Sequence, residues 1–179
     1  MYNTDRLNRS DGPEDRSLAE RCMAAILPDF SGYRRIVQSP GAVAIMYDTG
    51  QGQGWQRVIP VNGGPHLPAP IRQRFGDSRG RWDGTTLVVE TRNFSTKSFF
   101  MGAAERLTLV ERFTRTGPDA IQYQVTVTDP TTWAEPWSAM LPLQRRRETL
   151  YEFACHEGNF YLMRGMIDGA RVAQESETK

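Results

Sequence analysis

Apolar and polar residues alternate with a period of two along much of this chain, the signature of half-buried strands. In Ala120–Thr128, Ile121, Tyr123, Val125 and Val127 share one face, and Gln122, Gln124, Thr126 and Thr128 share the other. In Leu107–Thr114, Leu107, Leu109 and Phe113 share a face opposite Arg106, Thr108, Val110, Arg112 and Thr114. Strands are also expected over Tyr33–Gln38, Ala42–Asp48, Trp55–Val61, Arg79–Trp82, Thr85–Thr91, Trp137–Arg145 and Leu150–Cys155. The breaks between them carry turn residues: Ser39-Pro40-Gly41, the Gly/Gln run 50–54, Asp83-Gly84 and Gly117-Pro118-Asp119. The segment Asn62–Pro70 is too rich in Gly and Pro for a regular element and leads into a short helical turn around Ile71–Phe75.

Two stretches read as helix. Ser17, with Glu20 three residues on, forms a capping box for a short helix over Leu18–Ile26, closed by Pro28. A closing helix is expected over Phe160–Val172, weakened by Gly165 and Gly169. Residues 1–16 read as an extended polar arm, and residues 17–179 as one domain. Long crossover helices between strands are missing, so the strands are expected to pair antiparallel. About eight or nine short strands in series predict an all-β, single up-and-down barrel of lipocalin-like type, which would leave no open edge.

The alternation places charge inside. Glu111 falls on the face of Leu107, Leu109 and Phe113. Arg57 falls on the face of Trp55 and Ile59, and Tyr123 on that of Val125. In the first strand Tyr33, Arg35 and Val37 share a face, here taken as inward, although Ile36 lies opposite. A buried carboxylate needs a partner or a proton, so Glu111 is the leading candidate for acid–base chemistry. Arg57 would clamp an anionic group, and Tyr123 would donate a hydrogen bond. His66, in the Gly-Gly-Pro-His-Leu-Pro loop, is a second proton-transfer candidate. Trp55, Tyr33, Leu109, Phe113, Val125 and Trp133 are the expected ligand-binding residues. The same trio also describes a buried Arg57–Glu111 ion pair with Tyr123 filling a remaining lone pair.

Composition narrows the alternatives. The 22 Lys+Arg and 21 Asp+Glu leave a net charge of +1, which gives no field to attract nucleic acid or a membrane. No apolar run approaches the roughly 20 residues of a spanning helix. With two His and two Cys, a metal site has little material, and none is expected. Cys22 and Cys155 read either as two thiols or as a disulfide in an exported protein. Met1 to Arg16 carries no apolar leader, so a cytoplasmic location is expected, or a periplasmic or secreted one for a processed chain. No dinucleotide or phosphate-binding fingerprint is present, and no cofactor is expected.

The stretch Gly76–Phe94, with Leu109–Thr114, Asp129-Pro130-Thr131-Thr132-Trp133, Ala154–Asn159 and Gly12–Arg16, resembles a large bacterial family of hypothetical proteins. That resemblance implies no particular activity, although members often carry export signals. By architecture the expected barrel is similar to the calycins, which include ligand carriers and cofactor-free phenolic acid decarboxylases that use Tyr, Arg and Glu inside a barrel. These readings lead to a cofactor-independent lyase, isomerase or cyclase acting on a small apolar or aromatic acid or polyketide-like substrate. The alternative is a non-catalytic small-molecule carrier. The polar arm is long enough to cross to a second copy, and a homodimer is the expected assembly.

Overall fold

In the computed structural model, residues 21–23, 27–30, 32–47, 54–98, 100–152 and 154–177 are described. The polar arm lies outside them, and so does most of the expected helix over Leu18–Ile26.

Eight strands form two antiparallel sheets. The first contains β1 (Arg34–Ser39), β2 (Ala42–Tyr47) and β3 (Gln56–Pro60), in that order. The second contains β4 (Asp77–Asp83), β5 (Thr86–Arg92), β6 (Thr108–Gly117), β7 (Ala120–Thr128) and β8 (Trp137–Gln144), also in chain order. Each strand therefore pairs with its sequence neighbour, as short turns and the lack of crossovers require. The β4–β5 turn contains Gly84 at φ 58°, and Asp83 pairs with Thr86, so the two-residue loop begins on the glycine. Only glycine takes a positive φ there without strain, and a glycine first in the loop is the mark of a type II′ hairpin.

The sheets meet at one corner. Val61 bridges Gly80 in parallel, and the Asn62 amide donates to the Gly80 carbonyl at 2.9 Å. A Cβ on Gly80 would lie 3.1 Å from Ile59 Cγ2 and 3.2 Å from Val61 Cγ2, so its bare Cα permits this approach. Among the described residues no ladder joins β8 to β1. The architecture is thus two sheets enclosing a core. One cluster of buried side chains draws Val43, Ile45 and Ile59 from the first sheet and Leu109, Val125 and Val127 from the second.

The C-terminal helix α1 (Asn159–Glu177) begins and ends outside the expected Phe160–Val172. Ile167 is its buried anchor, while Phe160, Tyr161 and Leu162 are exposed. No helix among the described residues is long and apolar enough to cross a membrane.

Two local expectations are corrected. Leu150–Cys155, expected as a strand, forms none among the described residues. Ala154 sits at φ 51°, which interrupts extended backbone, and Cys155 is joined to Cys22 in a disulfide. The segment Ile71–Phe75 is not helical. It makes a turn through Ile71 N to Pro68 O and a bridge from Gln73 to Phe94. The Gly/Pro-rich segment before it leaves no run long enough to start a helix.

Candidate functional site

Glu111 lies in the middle of β6, opposite Val125 on β7, with its side chain between the sheets and 1 % exposed. Tyr123 lies two residues along β7 on the same face, opposite Phe113, and its hydroxyl donates to Glu111 Oε1 at 3.0 Å. The Phe113 and Tyr123 rings pack with centroids 4.9 Å apart, which fixes the phenol. Arg57 comes from the other sheet. It sits opposite Ile45, is 4 % exposed, and brings Nη2 to 2.8 Å from Glu111 Oε2. The alternation pattern therefore places all three predicted residues together, Arg57 crossing the core from one sheet to the other.

Three further polar residues join them. Arg34 on β1 turns inward, with its guanidinium carbon 5.5 Å from the Tyr123 ring centre and 5.7 Å from that of Tyr47. Its Nη2 donates to the Asp29 carbonyl at 3.1 Å and lies 3.7 Å from the Asp29 carboxylate. Tyr47, at the end of β2, is fully buried and packs edge-on against Phe75. The interior thus balances two guanidinium groups, Arg34 and Arg57, against two carboxylates, Asp29 and Glu111. Electroneutrality is what makes so much buried charge tolerable.

The balance is not matched by complete hydrogen bonding. Arg57 Nε and Nη1 have no hydrogen-bond partner, and neither does Arg34 Nε. Arg57 Nη2 and Glu111 Oε2 are close, but the N–H is not aimed at the oxygen, so the contact joins two charges without a hydrogen bond. Buried donors are nearly always satisfied, which makes this guanidinium unusual.

The electrostatics keep the donors protonated. Burial pushes the Tyr47 phenol up to about 12, with Arg57 opposing and Glu111 reinforcing the shift. Burial, then the neighbouring Glu111 charge, raises Tyr123 well above the ordinary phenol range. Burial acts to lower Arg57, but Glu111, Tyr47 and Tyr123 together outweigh it and hold the guanidinium above its usual value. At neutral pH the cluster therefore presents two phenol donors and a fixed cation.

The other predicted residues divide. Leu109 and Val125 are fully buried in the core, and Phe113 packs on Tyr123. Trp55 is 37 % exposed and leans on Phe75 with centroids 6.1 Å apart. Trp133 belongs to an aromatic group with Phe100 and Trp137. Tyr33 is 57 % exposed, and Arg34 and Ile36 are the inward residues of β1. The inward face of β1 is thus the opposite of the expected one, as Ile36 signals. Tyr47 was equally legible, since Val43, Ile45 and Tyr47 alternate cleanly with Ala42, Ala44 and Met46. Asp29 precedes the first strand, where no periodicity applies.

His66 stands in a different group. Its Nδ1 lies 3.0 Å from Asp77 Oδ2, and its Nε2 lies 4.0 Å from Glu90 Oε1. Two surface clefts, of ≈ 560 Å³ beside Asn62 and Trp82 and ≈ 380 Å³ beside Arg72 and Arg106, are lined by none of Glu111, Arg57 or Tyr123. Among the described residues no group of three His, Cys, Asp or Glu is placed to hold a metal ion. Comparisons with family models, with curated proteins and with solved structures found no match to this chain.

Proposed function

We propose that this protein binds a small, partly apolar anion between its two sheets, which act as the walls of a lipocalin-like barrel. The observation that carries the reading is Arg57, a buried guanidinium whose Nε and Nη1 make no hydrogen bond. Each is a charged donor left over for a ligand carboxylate oxygen, and a charge-assisted hydrogen bond of that kind is about twice as strong as a neutral one. Leu109, Val125 and Phe113 supply apolar contact for the rest of the ligand, and Tyr47 supplies a donor. The side between β8 and β1, which no ladder joins among the described residues, is the route in.

A second reading is acid–base catalysis on such a ligand, with Glu111 giving or taking the proton. The hydrogen bond from Tyr123 to Glu111 favours it, because a phenol and a carboxylate in contact form a relay. Carriage comes first because both Glu111 oxygens are already engaged, one by Tyr123 and one by Arg57. In either case the Cys22–Cys155 disulfide supports an oxidising location, the periplasm or the exterior. Members of the bacterial family that the chain resembles often carry export signals, which is in line with this.

The test is calorimetric titration with trans-cinnamate and with its uncharged amide. The carboxylate is expected to bind at least about tenfold more tightly, and Arg57→Gln to erase that difference. Equal affinity for acid and amide would remove the role given to Arg57. Conversion of the bound acid to product, lost in Glu111→Gln, would place the catalytic reading first.

A further inference from the structure

The loop between β3 and β4 carries a second constellation that the interior reading does not use. Asp77, the first residue of β4, is buried and accepts from three sides. The Leu67 amide donates to Oδ2 at 2.8 Å, Arg79 Nη1 lies 2.6 Å from Oδ1, and His66 Nδ1 lies 3.0 Å from Oδ2. An acceptor so placed selects the tautomer in which Nδ1 carries the imidazole proton. Nε2 then faces outward with its lone pair free. The backbone on both sides of His66 is pinned: Arg79 Nε donates to the Pro65 carbonyl at 3.1 Å, and Asn93 Nδ2 donates to the Leu67 carbonyl at 2.8 Å. The ring is 20 % exposed, enough to meet a solvent-borne molecule.

Glu90 on β5 completes the geometry. Its Oε1 lies 4.0 Å from His66 Nε2 and is paired with Arg92. Two acceptors at that separation suit a single water. An oxygen about 2.8 Å from each would see them about 90° apart, close to the angle between a water's two O–H bonds. A water donating both protons to strong acceptors has a more nucleophilic oxygen, and His66 is placed to take the proton that leaves.

We propose that His66, Asp77 and Glu90 form a hydrolytic site for uncharged acyl esters, separate from the interior cluster. The water held between His66 Nε2 and Glu90 attacks the acyl carbon. A C–O bond forms, the water's proton passes to Nε2, and the ester C–O bond then breaks as Nε2 returns that proton to the departing alkoxide. Ester and water become acid and alcohol, and no other reactant is consumed. His66 is the catalytic base and acid, Glu90 holds the water, and Asp77 is a positioning residue. With Asp77 paired to Arg79 and Glu90 to Arg92, these charges cancel, and the site suits an uncharged substrate.

The test uses p-nitrophenyl acetate, with release of p-nitrophenolate followed spectrophotometrically. The chain has two histidines, so His156→Gln serves as a control for unspecific imidazole reactivity. The wild type and His156→Gln are expected to turn over equally. His66→Gln should fall about 100-fold, to the level of free solution, with its far-ultraviolet dichroism unchanged. Glu90→Gln, which leaves the loop contacts intact, should fall at least about tenfold and gives a reading even if His66→Gln folds poorly. Long-range ¹H–¹⁵N spectra at pH 8 should show His66 protonated on Nδ1, and Asp77→Asn should shift the tautomer balance while the fold is kept. Turnover of the wild type no faster than His66→Gln, unaffected turnover in Glu90→Gln, or an Nε2-protonated His66 would each overturn the proposal.

Discussion

Replacing Glu111 by Gln keeps shape and volume and removes one charge. The interior then holds Arg34 and Arg57 against Asp29 alone, and Arg57 loses the carboxylate 2.8 Å from its Nη2. Breaking one side of a buried pair typically costs about 3–5 kcal/mol, because the other charge stays buried and uncompensated. The new amide oxygen still accepts from Tyr123, so the loss is electrostatic and leaves no cavity. Against a domain stability of about 5–15 kcal/mol, this is a large fraction. In a chain of this length it corresponds to a fall in Tm of roughly 10 °C. The triple replacement Arg57→Met, Glu111→Leu and Tyr123→Phe removes both charges and the hydroxyl that donates to Glu111, and is expected to cost little or to stabilise by about 1–4 kcal/mol. Urea unfolding followed by tryptophan fluorescence would measure all variants, with the m-value checking that the unfolded reference is unchanged. A Glu111→Gln cost below about 1 kcal/mol at constant m would refute the reasoning, since it would mean that Arg57 does not depend on this carboxylate.

The remaining expectations concern the crosslink and the phenols. Cys22 and Cys155 are separated by 133 residues, and closing a loop of that length removes about 5 kcal/mol of unfolded-chain entropy. Reduction, or Cys22→Ser with Cys155→Ser, should lower Tm by roughly 10–20 °C in a scanning calorimeter; a shift under about 3 °C would contradict this. Tyr47 and Tyr123 are both raised, so their contribution to stability is complete below the free phenol value of about 10 and is lost as pH rises through the folded values. Unfolding free energy should therefore decline above pH 10. Absorbance at 295 nm should show at least two of the six tyrosines still largely un-ionised at pH 11 in the folded protein; full ionisation of all six without unfolding would contradict it.

What the sequence disclosed depended on how far one element constrains itself. Strand periodicity placed Glu111, Arg57 and Tyr123 inward because each sits between two or more unambiguous apolar neighbours on its own face. Arg34 was missed because β1 has apolar residues on both faces, Ile36 on one and Val37 on the other, and only packing against Tyr47 and Tyr123 decides between them. Leu150–Cys155 has the residues of a strand, but the positive φ of Ala154 and the crosslink from Cys155 to Cys22, 133 residues away, leave no trace in a local pattern. His66 stood out by residue type alone. Its partner Asp77 sits 11 residues on, and a loop-to-strand contact of that kind has no periodic trace. Barrel closure, too, depends on contacts between the first and last strands, which no local pattern encodes.

The central claim is that the unused donors of Arg57, Nε and Nη1, meet the ligand. The most direct measurement is the Nε–H resonance of Arg57 in ¹H–¹⁵N spectra, assigned by its loss in Arg57→Lys and followed while trans-cinnamate is added. The account predicts a saturable shift of this signal, with the titration midpoint equal to the calorimetric Kd, and no matching shift with the amide. A resonance that stays fixed while cinnamate saturates the protein would contradict it.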